Sequence, residues 1–253
     1  IHLGAEFDKI LTILLATGIL ALSLNRSRHL LAQSATQTQA ASDLSLFFDS
    51  DVAERITHTD MALAAGQGMQ RNAAILFTDM RGFTAATAHL APTDVVAMLS
   101  DYQRRIVPII RKYGGSIDKF MGDGILASFG AVNPSSTYAA DGMKAIDAIL
   151  QAAAAWRQEN PRALDIGAGL AVGDVVFGTI GDGTRLEYTV IGDAVNLAAK
   201  LEKHNKIERT RALTTQETLS IALAQGYLTT SPEIRSQRNI GGIATPLDLV
   251  VWP

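Results

Sequence analysis

The pattern of apolar and polar positions divides the chain into an N-terminal third and a longer C-terminal part. Residues 10–24, ILTILLATGILALSL, carry no charge and consist largely of helix formers. Residues 32–42 are small and polar, which favours a solvated helical linker. Residues 44–56 regain apolar positions at helical spacing, and this predicts a helix able to pair with a second copy of itself.

The uncharged segment 10–24 predicts a membrane-spanning helix. At about 1.5 Å per residue it covers about 22 Å, less than the hydrocarbon core of about 30 Å, so flanking residues have to help it cross. Arg26 and Arg28 follow it, which would keep the rest of the chain on the cytoplasmic side. A buried or dimerising helix and a secretory signal are the alternatives, and Glu6 and Asp8 before the apolar stretch disfavour the signal.

From residue 73 onward, strand and helix patterns alternate. The apolar run 73–80 predicts a buried strand, and 92–113 has helical spacing. Two short strands within 114–130 flank a turn whose tip is Asp123, because Asp-Gly is a strong hairpin signal. The remaining predicted elements are a helix over 139–157, a strand over 164–181 broken at Gly173, and a strand over 185–192 followed by a helix with Asp193 as its N-cap.

This order, strand, helix, strand, strand, helix, strand, predicts an α+β domain of the ferredoxin-like, split βαβ type. Its sheet is expected to be antiparallel with helices on one face. The predicted organisation is a transmembrane helix and its flank over 1–31, a helical linker over 32–71, and a catalytic domain over 72–253.

Composition and charge narrow the possible functions. The 253 residues are 47% hydrophobic and 19% charged, which is typical of a globular chain. A net charge of −3 without a polybasic cluster argues against nucleic-acid binding. Cysteine is absent, so disulfides, thiolate metal sites and cysteine nucleophiles are excluded.

Two acidic residues at predicted turns carry the first candidate chemistry. Asp79 ends the strand 73–80 and Asp123 lies at the hairpin tip, so the two meet if their strands are neighbours. Paired carboxylates of this kind suit Mg²⁺ or Mn²⁺ together with substrate phosphates. The loop that follows Asp79 contains Gly82, Phe83 and Thr84, and its backbone N–H groups are available to a polyphosphate.

Five polar residues beside predicted turns also have ordinary structural interpretations: Asp79, Asp123, Lys119, Thr189 and Asn196. Asp79 and Asp123 are common turn residues when considered singly. Lys119 could be a solvated strand lysine, Thr189 a strand residue and Asn196 a helix-surface amide. The functional interpretation gains weight because all five lie in or beside three glycine-marked turns.

Three segments together resemble the class III nucleotidyl cyclase catalytic domain: FTDMRGFT (77–84), IDKFMGDGILASFG (117–130) and YTVIGDAVNLAAKLE (188–202). The resemblance covers about residues 72–251 in matching order and spacing. It implies a homodimeric, membrane-anchored bacterial type of enzyme that uses two Mg²⁺ or Mn²⁺ ions per site.

The resemblance also assigns roles to residues of this chain. Asp79 and Asp123 match the metal-binding aspartates, with the Met80 carbonyl as a further ligand. Lys119 and Thr189 match the pair that reads the adenine ring, which favours ATP over GTP. Asn196 matches the asparagine that orients the ribose. Lys200 stands at the position where the family has an arginine that stabilises the transition state.

Two positions depart from the family pattern. Lys200 replaces the arginine, and a lysine cannot offer the planar, bidentate contact of a guanidinium group. Gly241 stands where relatives often have a basic residue for the triphosphate, and Arg238 could compensate. Asn196 and Lys200 are one helical turn apart and therefore share a helix face.

The resemblance therefore predicts an adenylate cyclase that converts ATP to cyclic AMP and pyrophosphate for intracellular signalling. A guanylate cyclase is one alternative. A catalytically weak or silent nucleotide-binding or dimerisation module of a membrane receptor is another, favoured by Lys200 and Gly241. A diguanylate cyclase is disfavoured because no GG[DE]EF sequence occurs.

Overall fold

The computed structural model describes residues 66, 68–182, 184–229 and 232–253, together with several positions between 14 and 26. The chain forms two compact units, 1–53 and 54–253. In the first unit the described positions have helical backbone and exposed side chains, while the rest of the predicted membrane segment and the predicted pairing helix lie outside the described residues. Within the described ranges no helix is both long and apolar enough to cross a membrane.

The second unit contains strands and helices in mixed order. Its elements are β1 (Gly68–Met80), α1 (Phe83–Thr87), α2 (Pro92–Lys112), β2 (Gly115–Met121), β3 (Gly124–Phe129), α3 (Tyr138–Glu159), β4 (Ile166–Gly181), β5 (Leu186–Ile191), α4 (Asp193–Glu208), β6 (Ala212–Thr215), α5 (Gln216–Ala224), β7 (Glu233–Arg238) and β8 (Leu247–Trp252).

The described strands form one sheet in the order β2-β3-β1-β4-β6-β8-β7, and β5 pairs with β4 beside this path. In the segment β2-β3-β1-β4 each strand pairs antiparallel with its neighbour, and these four strands, together with α2 and α3, confirm the ferredoxin-like prediction. Beyond them β6 pairs parallel with β4, so the whole sheet is mixed rather than antiparallel.

Helices lie on both faces of this sheet, which corrects the prediction of helices on one face. Gly142 of α3 approaches Leu170 and Ala74, so α3 covers the face on which these side chains lie. Gly169 is the next residue before Leu170 and faces the other way, where a Cβ atom would stand 2.4 Å from backbone atoms of α4. The α4 helix therefore packs on the face opposite α3.

Three local predictions need correction. The strand β4 runs through Gly173 without a break, because Gly173 pairs in register with Ala73 of β1. The N-cap of α4 is Gly192 rather than Asp193, which lies in the first turn instead. The strand β1 begins at Gly68, before the apolar run, because its polar first residues pair with the outer half of β4.

Candidate functional site

The two predicted metal-binding carboxylates lie side by side. Asp79 pairs in register with Gly124, so the end of β1 lies beside the turn between β2 and β3 that carries Asp123. Gly122 in that turn has φ +66°, a conformation that glycine adopts without strain. The hairpin predicted from the Asp-Gly pair thus brings Asp123 to Asp79.

The electrostatics of this pair are unfavourable without a cation. Burial of Asp79, its contact with Asp123 and the charges of Asp123 and Glu202 raise the pKa of Asp79 to about 7. In addition, Asp79 Oδ1 is buried and has no hydrogen-bond partner among the described residues. A buried carboxylate oxygen without a donor, next to a second carboxylate, is a favourable position for a cation.

The donor set fits Mg²⁺ or Mn²⁺. The described residues contain no group of three or more acidic or histidine side chains arranged to hold a metal. A pair of carboxylates is nevertheless a common protein contribution to a Mg²⁺ site, where substrate phosphates and water complete the octahedron. Met80 is buried and its backbone belongs to β1.

The loop predicted to receive phosphates begins immediately after β1. Gly82 has φ +74° and precedes α1, which starts at Phe83. Gly82 and Thr84 are exposed, whereas Phe83 is partly buried against the core. This loop is short and anchored at both ends, and it lies next in the chain to the carboxylate pair.

Lys119 and Thr189, which are 70 positions apart in sequence, meet through a residue that the sequence analysis did not single out. Asp118 Oδ2 accepts a hydrogen bond of 2.9 Å from Thr189 Oγ1, and Oδ1 accepts one of 3.0 Å from Val190 N. Lys119 Nζ lies 3.5 Å from Asp118 Oδ2. Burial raises the pKa of Asp118, and these three donors oppose that effect.

A β-bulge at Asp118 directs Lys119 out of the core. Ile117 pairs with Ala127, but the register then shifts and Lys119 pairs with Leu126. In a regular strand Asp118 would pair with Leu126. Lys119 would then pair with Ile125, and its side chain would point into the core. Because of the extra residue, Lys119 lies on the same sheet face as Asp79.

A second carboxylate completes the cluster around Lys119. Glu187, which is half-exposed, accepts a hydrogen bond from Lys119 Nζ. Glu187 is two residues before Thr189, so both side chains lie on one side of β5. Burial lowers the pKa of Lys119, but the carboxylates of Glu187 and Asp118 outweigh it and raise that pKa overall.

The two remaining predicted site residues lie on α4. Asn196 is exposed on its first turns, and Lys200 is partly buried one turn later. Lys200 Nζ donates a hydrogen bond of 2.5 Å to the carbonyl of Gly242. A Cβ atom on Gly241 would meet no atom within 4 Å, so the neighbouring turn is open on that side.

Arg238, the basic residue suggested to compensate for Gly241, pairs with a carboxylate in this structure. Its Nε lies 3.4 Å from Oε1 of Glu208, whose side chain is almost fully buried at the end of α4. Arg235 and His204 contact the same carboxylate at 3.0 and 3.3 Å. Arg238 is therefore part of an ion cluster that fixes β7 to α4.

Three acidic residues were missed from sequence: Asp118, Glu187 and Glu202. Asp118 directly precedes Lys119, but in a regular strand the two side chains would point in opposite directions, and the bulge brings them together. Glu187 stands two positions before Thr189, which is a signal that strand periodicity could have provided. Glu202 lies close enough for its charge to raise the pKa of Asp79 only because α4 packs against Gly167 and Gly169.

Comparison with known proteins agrees with this architecture. Residues 67–237 match the family model described as "Adenylate and Guanylate cyclase catalytic domain". An adenylate cyclase of Anabaena cylindrica is 33% identical over 150 residues, which cover 55% of this chain and 28% of that protein. The chain therefore spans little more than a quarter of that relative's length.

Two solved structures extend the comparison. The adenylyl cyclase CyaB from P. aeruginosa has a TM-score of 0.63 and 27% identity, covering 73% of this chain and 95% of that one. The guanylyl cyclase Cya2 has a TM-score of 0.61 and 31% identity, covering 73% of this chain and 92% of that one. A structure named as an adenylyl cyclase and one named as a guanylyl cyclase thus both share the fold of this chain.

Proposed function

The chain belongs to the family of adenylate and guanylate cyclase catalytic domains, and from this premise we propose that it is an adenylate cyclase. The observation that supports ATP is the cluster in which Asp118 joins Lys119 to Thr189. An ammonium group donates to the N1 acceptor of adenine, and a hydroxyl oxygen accepts from its 6-amino group. The pair therefore complements the edge of an adenine ring.

The proposed reaction is an intramolecular phosphoryl transfer. The ribose 3′-oxygen forms a bond to the α-phosphorus, and the bond from that phosphorus to the bridging oxygen of the β-phosphate breaks. Pyrophosphate leaves with the electron pair, and the hydroxyl proton passes to solvent. The chain's task is to hold the 3′-oxygen, the α-phosphorus and the leaving oxygen in line.

Asp79 and Asp123 are the residues that would hold Mg²⁺ or Mn²⁺, with two ions per site and the Met80 carbonyl as a further ligand. Such a cation, when bound, lowers the pKa of the ribose hydroxyl and offsets the negative charge of the phosphates. The backbone of Gly82, Phe83 and Thr84 lies next to the pair and would bind phosphate oxygens.

The residues of α4 would act on the ribose and the phosphates. Asn196 is exposed, and its amide is free to orient the ribose ring in the proposed complex. Lys200 supplies a positive charge on the same helix face, but as a point charge it gives less geometric control than an arginine. A slow enzyme is the expected consequence.

We propose that the active form is a homodimer in which one protomer supplies the carboxylate pair and its partner supplies Lys119, Thr189, Asn196 and Lys200. Large apolar side chains are exposed near the base-reading cluster, which consists of Asp118, Lys119 and Thr189, and they support a partner surface there. They are Phe120 (50% exposed), Met121 (41%), Val176 (46%), Ile180 (42%) and Ile191 (51%).

A mixing experiment tests the shared site. Asp79→Asn and Lys119→Ala proteins are each expected to be inactive. After unfolding and refolding together in equal amounts, about half of the dimers contain one of each and have one intact site of two, so about a quarter of native activity returns. If each chain formed its own complete site, the mixture would stay inactive.

The activity itself is tested by product analysis. Purified residues 54–253, which form one compact unit, are incubated with Mn²⁺ and either ATP or GTP, and cyclic AMP, cyclic GMP and pyrophosphate are measured. We expect cyclic AMP and pyrophosphate in equal amounts from ATP. ATP binding without pyrophosphate release would instead support a silent nucleotide-binding module.

A guanylate cyclase is the second candidate, and Glu187 is the observation that favours it. Its carboxylate lies beside Lys119 and could accept from the N1–H of guanine. Faster turnover of GTP than of ATP in the same assay would support this alternative.

Membrane anchoring through residues 10–24, with the catalytic unit in the cytoplasm, is a separate proposal from the sequence. It predicts that the full chain sediments with membranes and that residues 54–253 do not. Recovery of the full chain in the soluble fraction would contradict it.

A further inference from the structure

The contact between Asp118 and Thr189 fixes the direction of a hydroxyl hydrogen in the base-reading cluster. The Asp118 side chain is only 4% exposed, and it bridges β2 and β5, which are not neighbours in the sheet. The β-bulge of β2 places it there. It can be satisfied only by donors, because an ionised carboxylate has no hydrogen to give.

The two oxygens of Asp118 have different partners. Oδ1 accepts from the backbone N–H of Val190 at 3.0 Å, and Oδ2 accepts from the Thr189 hydroxyl at 2.9 Å. A threonine hydroxyl has one hydrogen and two lone pairs. Because the hydrogen is committed to Asp118, Thr189 Oγ1 presents only lone pairs to a ligand.

We propose that Asp118 is a specificity-determining residue that makes Thr189 an obligate acceptor and thereby selects 6-aminopurine nucleotides against 6-oxopurine nucleotides. An exocyclic amine donates to the lone pair of Thr189. A 6-oxo group offers only lone pairs at that position, so the two oxygens face each other without a hydrogen. The inference rests on the proposed function, because it assigns the purine to this cluster.

The substitution Asp118→Asn would reverse the direction of the hydrogen bond between position 118 and the Thr189 hydroxyl. Val190 N–H still needs an acceptor, so the amide oxygen stays with Val190 and the amide NH₂ faces Thr189. The Thr189 oxygen then accepts from the amide, and its hydrogen is released toward the ligand. In Asp118→Asn the hydroxyl therefore keeps one lone pair that can accept from a 6-amino group and gains a free hydrogen that can donate to a 6-oxo group.

The experiment compares kcat/KM for ATP, inosine triphosphate and purine riboside triphosphate, which carry an amine, an oxygen and a hydrogen at C6. We expect the wild type to prefer ATP over the other two. In Asp118→Asn the ratio of ATP to inosine triphosphate should fall about tenfold, the effect of one hydrogen bond, with an absolute rise for inosine triphosphate. Asp118→Asn also removes the carboxylate contact of Lys119. Purine riboside triphosphate, which keeps the N1 acceptor but has no C6 substituent, measures that separate effect.

Two further variants provide controls. Asp94→Asn removes the same charge at an exposed position in the first turn of α2 and should leave the ratio unchanged. Thr189→Val removes the hydroxyl while keeping the shape, so ATP and purine riboside triphosphate should become equivalent, with no gain for inosine triphosphate. This variant also keeps the test valid if Asp118→Asn does not fold.

The outcomes separate the inference from the proposed function. An equal loss for all three nucleotides in Asp118→Asn would overturn the inference, because Asp118 would then only tie β2 to β5. If the wild type converts no nucleotide, the proposed function fails, and the rise in melting temperature caused by each nucleotide decides the inference. Equal rises for ATP and inosine triphosphate in the wild type would overturn it as well.

Discussion

Replacing Asp79 by asparagine is expected to stabilise the metal-free protein while it abolishes activity. In the absence of a cation, the Asp79 carboxylate faces Asp123 and one of its oxygens is buried without a donor. An asparagine is neutral and its NH₂ group can donate to Asp123. The substitution thus removes a repulsion and adds a hydrogen bond.

The pKa of Asp79 sets the size of this effect. A rise from 3.8 to about 7 corresponds to an upper bound of about 4 kcal/mol, at about 1.36 kcal/mol per unit. The pair is only half-buried, and water screens part of the repulsion. We therefore expect Asp79→Asn to raise the free energy of unfolding by about 1–2 kcal/mol at pH 8.

The sign of the pH dependence follows from the raised pKa. The folded protein holds the Asp79 proton more tightly than the unfolded chain does, so this group costs stability above pH 7, where the folded carboxyl is ionised. That cost declines as the pH falls from 7 toward 4. The advantage of Asp79→Asn over the wild type should shrink over the same range.

Urea unfolding in EDTA at pH 8 and pH 5 measures this difference, with Asp94→Asn as a control that removes an exposed charge. Added Mn²⁺ should stabilise the wild type by mass action and leave Asp79→Asn unchanged. A variant that is less stable than the wild type at pH 8 would refute the argument, since Asp79 would then be held by structural contacts.

Three further predictions concern the support of the site. Gly169→Ala should cost about 3 kcal/mol or more in urea unfolding and reduce activity, because its Cβ meets the backbone of α4; Gly241→Ala, in open space, should be neutral. Tyr102→Phe should cost about 1–2 kcal/mol, since Thr78 loses its buried 2.7 Å partner, and Thr78→Val in the same protein should recover most of it. Lys200→Arg should raise kcat about tenfold with little change in KM, and an unchanged or lower kcat would contradict the proposed role.

The sequence was sufficient for the elements whose signals are local. The apolar run before Asp79 and the Asp-Gly turn at Asp123 each predict their own backbone, and antiparallel pairing of their strands brings the acids together. The helix α2 was predicted within one residue because its apolar spacing is regular. The paired carboxylates themselves indicated a metal role, whereas the nucleotide roles came from the family resemblance; both stay predictions.

What could not be predicted depends on contacts between distant segments. A glycine inside a strand commonly marks a break, yet Gly173 lies in the middle of β4 because β1 continues to pair across it. The position of α4 on the opposite face follows from Gly167 and Gly169, whose missing side chains make room for that helix. Neither effect leaves a periodic signal in the chain.

The bulge at Asp118 connects this limit to function. Strand alternation, applied to Ile117 in the core, directs Asp118 outward and Lys119 inward, where an ammonium group would be buried among apolar side chains. One inserted residue resolves the conflict, because it leaves Asp118 free to bind β5 and places Lys119 beside it on the sheet face of Asp79. The bulge, which departs from regular strand alternation, is therefore the feature that builds the base-reading cluster. Bulges are expected where a strand has to redirect a functional side chain.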